Sequence, residues 1–181
     1  MRKIKILLCV FIALIFLLFS CFIFLYLRFP KKFYNEILKY STEYNLEKEL
    51  VQSIIKVESG YDKNAKSSQG ALGLMQIIPS TAYEISDKLS INNFNENMLF
   101  LPEINIHFGC FYVRYLIDYY DGNITNALCS YNAGLQNVNN WLKNSKYSKN
   151  GDDLSLIPFE ETNNYLKKVK FAINVYKILY K

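Results

Sequence analysis

The sequence predicts a mainly α-helical domain, residues 31–181, behind a single membrane-spanning helix within residues 1–30. Three observations predict it. Beyond position 30 the apolar residues recur at spacings of three and four, and no convincing run alternates apolar with polar as a half-buried strand does. From Ile6 to Leu27, 22 positions are interrupted by one polar residue, Ser20. At about 1.5 Å rise per residue that segment spans a bilayer core of roughly 30 Å.

The N-terminal segment reads as an uncleaved anchor. Its apolar stretch exceeds the roughly 7 to 15 residues typical of a secretory signal, and no small-residue cleavage site follows. The rival reading is a lipoprotein signal, because Leu18-Phe19-Ser20-Cys21 partly matches a lipobox, although Phe19 is bulky for it and six apolar residues continue past Cys21. Arg2, Lys3 and Lys5 precede the segment and Arg28, Lys31 and Lys32 follow it, so the flanking charges leave its orientation open.

Removing residues 1–30 changes the charge argument. The chain carries a formal +5, but the remainder holds 17 bases against 16 acids, which argues against nucleic acid as a partner. Of 29 aromatic residues, 22 lie beyond position 30, so the domain has the composition of a packed core and not of a disordered tail. Cys110 and Cys129 fall in apolar helical stretches and read as small core residues. His107 is the only histidine, so a metal site or a histidine-based triad lacks its usual parts; His107 reads as structural.

The elements follow in order. A helix is expected from Phe33 to Tyr44, then a second from Leu46 to about Ser59 with Asn45 as its N-cap. Leu50, Val51, Ile54 and Ile55 form the apolar face of the second, and Glu58 falls on that face near the C-terminal end. Desolvation and the negative end of the helix dipole both favour the neutral acid there. Asp62 to Gly73 reads as a loop with tight turns at Gly70 and Gly73. Thr81 and Glu84 suggest a capping box for a short helix to about Leu89. Pro102 opens a long helix that runs through Tyr120 and stops before Gly122. Short helices are expected from Ile124 to Asn132 and from Gln136 to Lys143, then a mobile polar loop from Asn144 to Asp153. After Pro158, Tyr165, Val169, Ala172, Ile173, Tyr176 and Leu179 mark a final amphipathic helix.

Four short pieces stand out together: Glu58-Ser59, Gly73-Leu74-Met75-Gln76, Tyr131-Asn132-Ala133-Gly134, and Glu161-Thr162 with Tyr165. Ser67 and Gly70-Ala71 lie between the first two. Their order and spacing, from about Asn35 to Tyr176, resemble the lytic transglycosylase family of the soluble Slt type, whose catalytic domain is related to goose-type lysozyme. The resemblance implies a compact lysozyme-like helical fold, no metal or organic cofactor, and peptidoglycan glycan strands as the partner. It also implies cleavage of the β-1,4 bond between N-acetylmuramic acid and N-acetylglucosamine, with a 1,6-anhydro product. The glutamate matching Glu58 is then the sole catalytic carboxylate, acid first and base second.

By the same resemblance Ser67 and Gln76 contact substrate. The Tyr131 hydroxyl hydrogen-bonds and orients the glutamate, Asn132 supports the site, and Glu161 is a substrate-binding carboxylate, with Glu160 beside it. Tyr165 either stacks on a sugar face or begins the core stripe. Ser130 stands where the family usually has alanine, and Tyr61 where it often has tryptophan. Ordinary glycoside hydrolysis uses two carboxylates flanking the bond, and the motif set supplies one, consistent with a route that does not consume water. The alternatives are a hydrolytic muramidase and a non-catalytic glycan-binding anchor of a wall-spanning complex. A substrate outside the cytoplasmic membrane requires the domain on the extracytoplasmic side of a single-pass anchor.

Overall fold

The computed structural model describes residues 2–181. Helix α1 (Arg2–Arg28) holds its apolar side chains outward and is long and apolar enough to cross a membrane. The helices α2 (Tyr34–Glu43), α3 (Lys48–Glu58), α4 (Pro79–Lys88), α5 (Pro102–Tyr119), α6 (Ile124–Ala133), α7 (Leu135–Leu142) and α8 (Glu160–Leu179) follow. A 3₁₀ turn, Glu96–Phe100, precedes α5. Among the described residues the extended backbone is limited to isolated bridges, such as Leu72 with Ile77 and Ser148 with Leu154. The mainly helical prediction therefore holds.

Helix α8 packs along α3 as the most extensive helix pair, and α6 covers another face of α8. Helix α5 contacts α2, α4 and α6. The apolar face of α3 read from the sequence is the buried one: Leu50, Val51, Ile54 and Ile55 are all in the core. Each such side chain contributes about 1.5–3 kcal/mol on burial. Phe108, Cys110 and Cys129 are fully buried, and both cysteines are free thiols. His107 stacks on Tyr40 (ring centroids 4.4 Å apart), and its Nε2 lies 2.7 Å from the Tyr44 hydroxyl, a structural role as expected.

Two predicted caps are corrected. Asn45 does not cap α3; it closes α2 in a left-handed conformation (φ 49°), and the Leu46 amide donates to Ser41 O at 2.8 Å. That is a C-terminal cap in which asparagine substitutes for glycine. Glu47 takes the N-cap position of α3 without a side-chain bond. Thr81 and Glu84 likewise lie inside α4, which Pro79 opens ahead of them, because proline needs no amide partner in the first turn. The segment from Asn144 to Asp153 is at the surface but tied down. Ser148 is buried, Asn123 Nδ2 donates to Asp153 Oδ1 (2.7 Å), and Asn126 Nδ2 donates to Asp152 O (2.6 Å).

Candidate active site

The site is assembled where the C-terminal end of α3 meets the 62–77 loop, α6 and α8. Ser59 makes the first connection: its hydroxyl donates to Leu74 O at 2.8 Å and accepts from the Tyr61 amide at 3.2 Å. The end of α3, and Glu58 with it, is thereby held against Leu74-Met75. Gly73 turns the loop at φ 74°, and a Cβ there would overlap Leu99 O and the Asn105 side chain. Glycine is required at this position for both conformation and space.

Asn105, on α5, fastens the turn. Its Nδ2 donates to Leu72 O (2.9 Å) and Leu99 O (2.8 Å), and its Oδ1 accepts from the Met75 amide (2.7 Å). These bonds are buried and satisfy backbone groups that would otherwise be costly to hold away from water. Met75 is fully buried against Gly109, where a Cβ would overlap its side chain. The Met75 carbonyl accepts from the Tyr131 hydroxyl at 2.7 Å. Three of the four sequence motifs are thus joined by consecutive hydrogen bonds, and Tyr165 from α8 adds the fourth.

Glu58 is half-buried, and its pKa is pushed up to about 7. Burial is the main cause, the Tyr165 hydroxyl opposes it, and the negative charge of Glu161 adds a further upward push. A carboxyl with that pKa is substantially protonated near neutral pH and can give a proton to a leaving oxygen. The buried Tyr165 hydroxyl faces this carboxyl without completing a well-formed hydrogen bond. Burial holds the hydroxyls of Tyr131 and Tyr165 well above the usual phenol range, so both stay neutral.

The other predicted residues are not all in one place. Gln76, Tyr131 and Asn132 line a cleft of about 250 Å³, together with Ile77, Thr81 and Tyr112. Gln76 has a left-handed backbone (φ 51°), and its Nε2 donates to Gly73 O (2.8 Å) and Ala65 O (3.3 Å). Its amide oxygen has no hydrogen-bond partner among the described residues. Ser67 lies outside the cleft lining and closes a turn, its Oγ accepting from the Ala71 amide at 3.0 Å. Glu161 is exposed and reaches Glu58 only through its charge. Larger cavities of about 550 and 540 Å³ lie elsewhere and contain none of the predicted residues.

This geometry revises one expectation and decides between two alternatives for another. Tyr131 bonds the Met75 carbonyl and not Glu58, because that carbonyl is the acceptor the turn presents to it. Tyr165 is only 5% exposed, so its ring offers no face to a sugar; it packs in the core beneath Glu58. Asn105 was missed, although a polar residue on the apolar stripe of a helix is the same signal that marks Glu58. Ser130 is accommodated by a partner: its hydroxyl lies 2.7 Å from that of Tyr120, which donates to Asn139 Oδ1 at 3.0 Å. Tyr61 is buried, its hydroxyl 2.9 Å from that of Tyr176.

Comparison with known proteins agrees with the fold. Residues 35–153 match the family model described as the transglycosylase SLT domain. The soluble lytic murein transglycosylase of Salmonella typhimurium is 33% identical over 144 residues, covering 78% of this chain and 22% of that protein. Membrane-bound lytic murein transglycosylase C of Yersinia pestis is 34% identical over 116 residues, covering 59% of this chain and 32% of that protein. Among solved structures, the 70 kDa soluble lytic transglycosylase of Escherichia coli superposes with a TM-score of 0.75 at 30% identity, over 85% of this chain and 25% of that one. An inactive glutamate-to-glutamine mutant of Slt from Pseudomonas aeruginosa gives 0.73 at 30% identity, over 84% and 25%. The chain thus spans only a fifth to a third of the length of these proteins. With two thirds of its residues under the family model and the matching helical fold, the chain belongs to the transglycosylase SLT domain family.

Proposed function

We propose that the protein is a membrane-anchored peptidoglycan lytic transglycosylase, with residues 1–30 as anchor, residues 31–181 as catalytic domain and Glu58 as the acid. The observation that carries this reading is the desolvated Glu58 carboxyl, with its pKa of about 7, at the meeting point of the four motifs. In the proposed reaction neutral Glu58 protonates the glycosidic oxygen as the C1–O bond of N-acetylmuramic acid breaks. The N-acetyl carbonyl oxygen closes on C1, and the 6-hydroxyl of the same sugar then displaces it. The hydroxyl proton passes to the Glu58 carboxylate, which restores the acid and consumes no water.

Inactivity of the Pseudomonas aeruginosa relative with one glutamate changed to glutamine supports an essential glutamate in this family. Gln76, through its amide oxygen, and Asn132, through its side-chain amide, are assigned to hydrogen-bond the glycan in the cleft, and Tyr131 to brace that wall. Glu161 contributes as a nearby negative charge that keeps Glu58 protonated, Ser67 shapes the loop, and Tyr165 positions the acid. Helix α1 crosses the membrane once and leaves the domain on the extracytoplasmic side, where the wall lies.

The purified full chain, incubated with peptidoglycan, tests the reaction class through the mass of released muropeptides. Anhydromuramic ends are expected, about 18 Da lighter than hydrolysed ends because no water is added across the bond. Reducing ends would instead assign a muramidase and a second carboxylate. No release by a folded chain that still binds glycan would assign a non-catalytic anchor.

A further inference from the structure

Helix α1 does not lead into a free linker. It continues directly into Phe29, whose amide bonds Leu25 O at 2.9 Å and whose ring is buried edge-on against Tyr176 (5.6 Å between centroids). The Phe29 carbonyl accepts from the Tyr180 hydroxyl at 2.7 Å, and the Tyr26 and Tyr180 rings lie 5.9 Å apart. Only Arg28 separates the last residue of the apolar segment from the first residue in the domain core. An anchor joined this way sets the orientation of the domain on the bilayer.

A cavity of about 320 Å³ sits at this junction, between the end of α1, the end of α3 and the middle of α8. Arg28, Lys56 and Lys168 line it with Phe29, Phe171 and Ala172, and no acidic residue does. None of the three cations has an ion-pair partner among the described residues. Lys56 is held below the usual lysine pKa by burial first, then by Arg28 and Lys32, so the cleft concentrates positive charge without a counterion. Phe171, one of the lining residues, is 59% exposed.

We propose that this cleft binds the phosphate of an anionic phospholipid headgroup, with Phe171 reaching the boundary between headgroups and acyl chains. A membrane lipid is the occupant because the cleft lies where α1 leaves the bilayer and pairs uncompensated bases with an exposed aromatic ring. Docking would also fix the height of the candidate site, since Lys56 and Glu58 are two residues apart on α3, about 3 Å along its axis. The inference rests on α1 being a membrane anchor.

The test uses the full chain in detergent, with native mass spectrometry of retained phosphatidylglycerol against phosphatidylcholine. The wild type should prefer the anionic lipid, and Lys168→Gln, at an exposed position, should weaken retention about fivefold, with about twentyfold for Lys56→Gln/Lys168→Gln. Lys143→Gln/Lys146→Gln, away from the cleft, should leave retention unchanged. Equal retention of both lipids, an unaffected cleft variant, or displacement of the lipid by inorganic phosphate alone would overturn the proposal. Alkaline carbonate extraction of membranes carrying the chain separates the two readings. Release of the chain sinks the anchor itself, whereas a retained chain without lipid preference sinks only the headgroup site.

Discussion

Two loops of this protein look alike in composition and behave differently. The segments 62–77 and 144–158 are both rich in lysine, serine, asparagine and glycine. The first folds inward: Ala71, Leu72, Leu74, Met75 and Ile77 are buried, and its backbone is bonded to Ser59, Asn105 and Tyr131. The second stays on the surface, anchored mainly through buried Ser148 and the bonds from Asn123 and Asn126. Both carry interleaved apolar residues, but those of the first are buried in the core, whereas Tyr147, Leu154 and Ile157 of the second pack only partly against it and Leu156 stays exposed. Only the inward loop can hold a carboxylate-bearing helix end in a fixed place.

The largest effect expected is on chemistry at the inward loop. Glu58→Gln should lower the rate of muropeptide release by about 10²- to 10⁴-fold, the usual worth of a positioned general acid. The same substitution should change the pH dependence of stability. With a pKa of about 7 in the folded chain against an unperturbed 4.5, the native state keeps a proton that the unfolded state loses. Stability should therefore fall as pH rises from about 4.5 through about 7, and Glu58→Gln should remove that decline in urea titrations.

Paired glycine substitutions probe the contrast between the loops most cleanly. Gly73 and Gly151 share a left-handed backbone (φ 74° and 84°), but a Cβ at Gly151 meets nothing within 4 Å. Gly73→Ala should destabilise by more than about 3 kcal/mol, since strain and overlap act together, and Gly151→Ala by about 1 kcal/mol from strain alone. Similar losses at both sites, measured by thermal or urea unfolding, would erase the distinction between the loops. Between these extremes, Asn105→Ala should cost about 2–4 kcal/mol by leaving the Met75 amide and the Leu72 and Leu99 carbonyls unpaired. At the small end, Asp153→Ala, which removes exposed bonds to Asn123 and Asn150, should cost less than about 1 kcal/mol.

The contrast between the loops also explains what was legible in the sequence. Helical spacing located every long helix and the buried face of α3, because burial of one stripe is a local property. Glu58 was visible for the same reason, as an acid on that stripe. Caps were read poorly: Asn45 and Thr81 have the right chemistry for an N-cap, but the turn closing α2 and the proline opening α4 determine where they fall. The partners of Tyr131 and Tyr165 depend on which carbonyl and which carboxyl the tertiary packing brings near, and no spacing encodes that. Family resemblance supplied roles for both tyrosines, but their contacts are set by the packed fold.

Everything proposed for the site depends on the fold keeping Glu58 protonated near neutral pH. That is tested most directly by following the glutamate side-chain carbonyl resonances of ¹³C-labelled full chain in detergent across the acid-to-alkaline range, with Glu58→Gln to identify the signal. The resonance absent from the variant should titrate with a midpoint of about 7. A midpoint near 4.5, the unperturbed glutamate value, would contradict the assignment of Glu58 as an acid held neutral by burial.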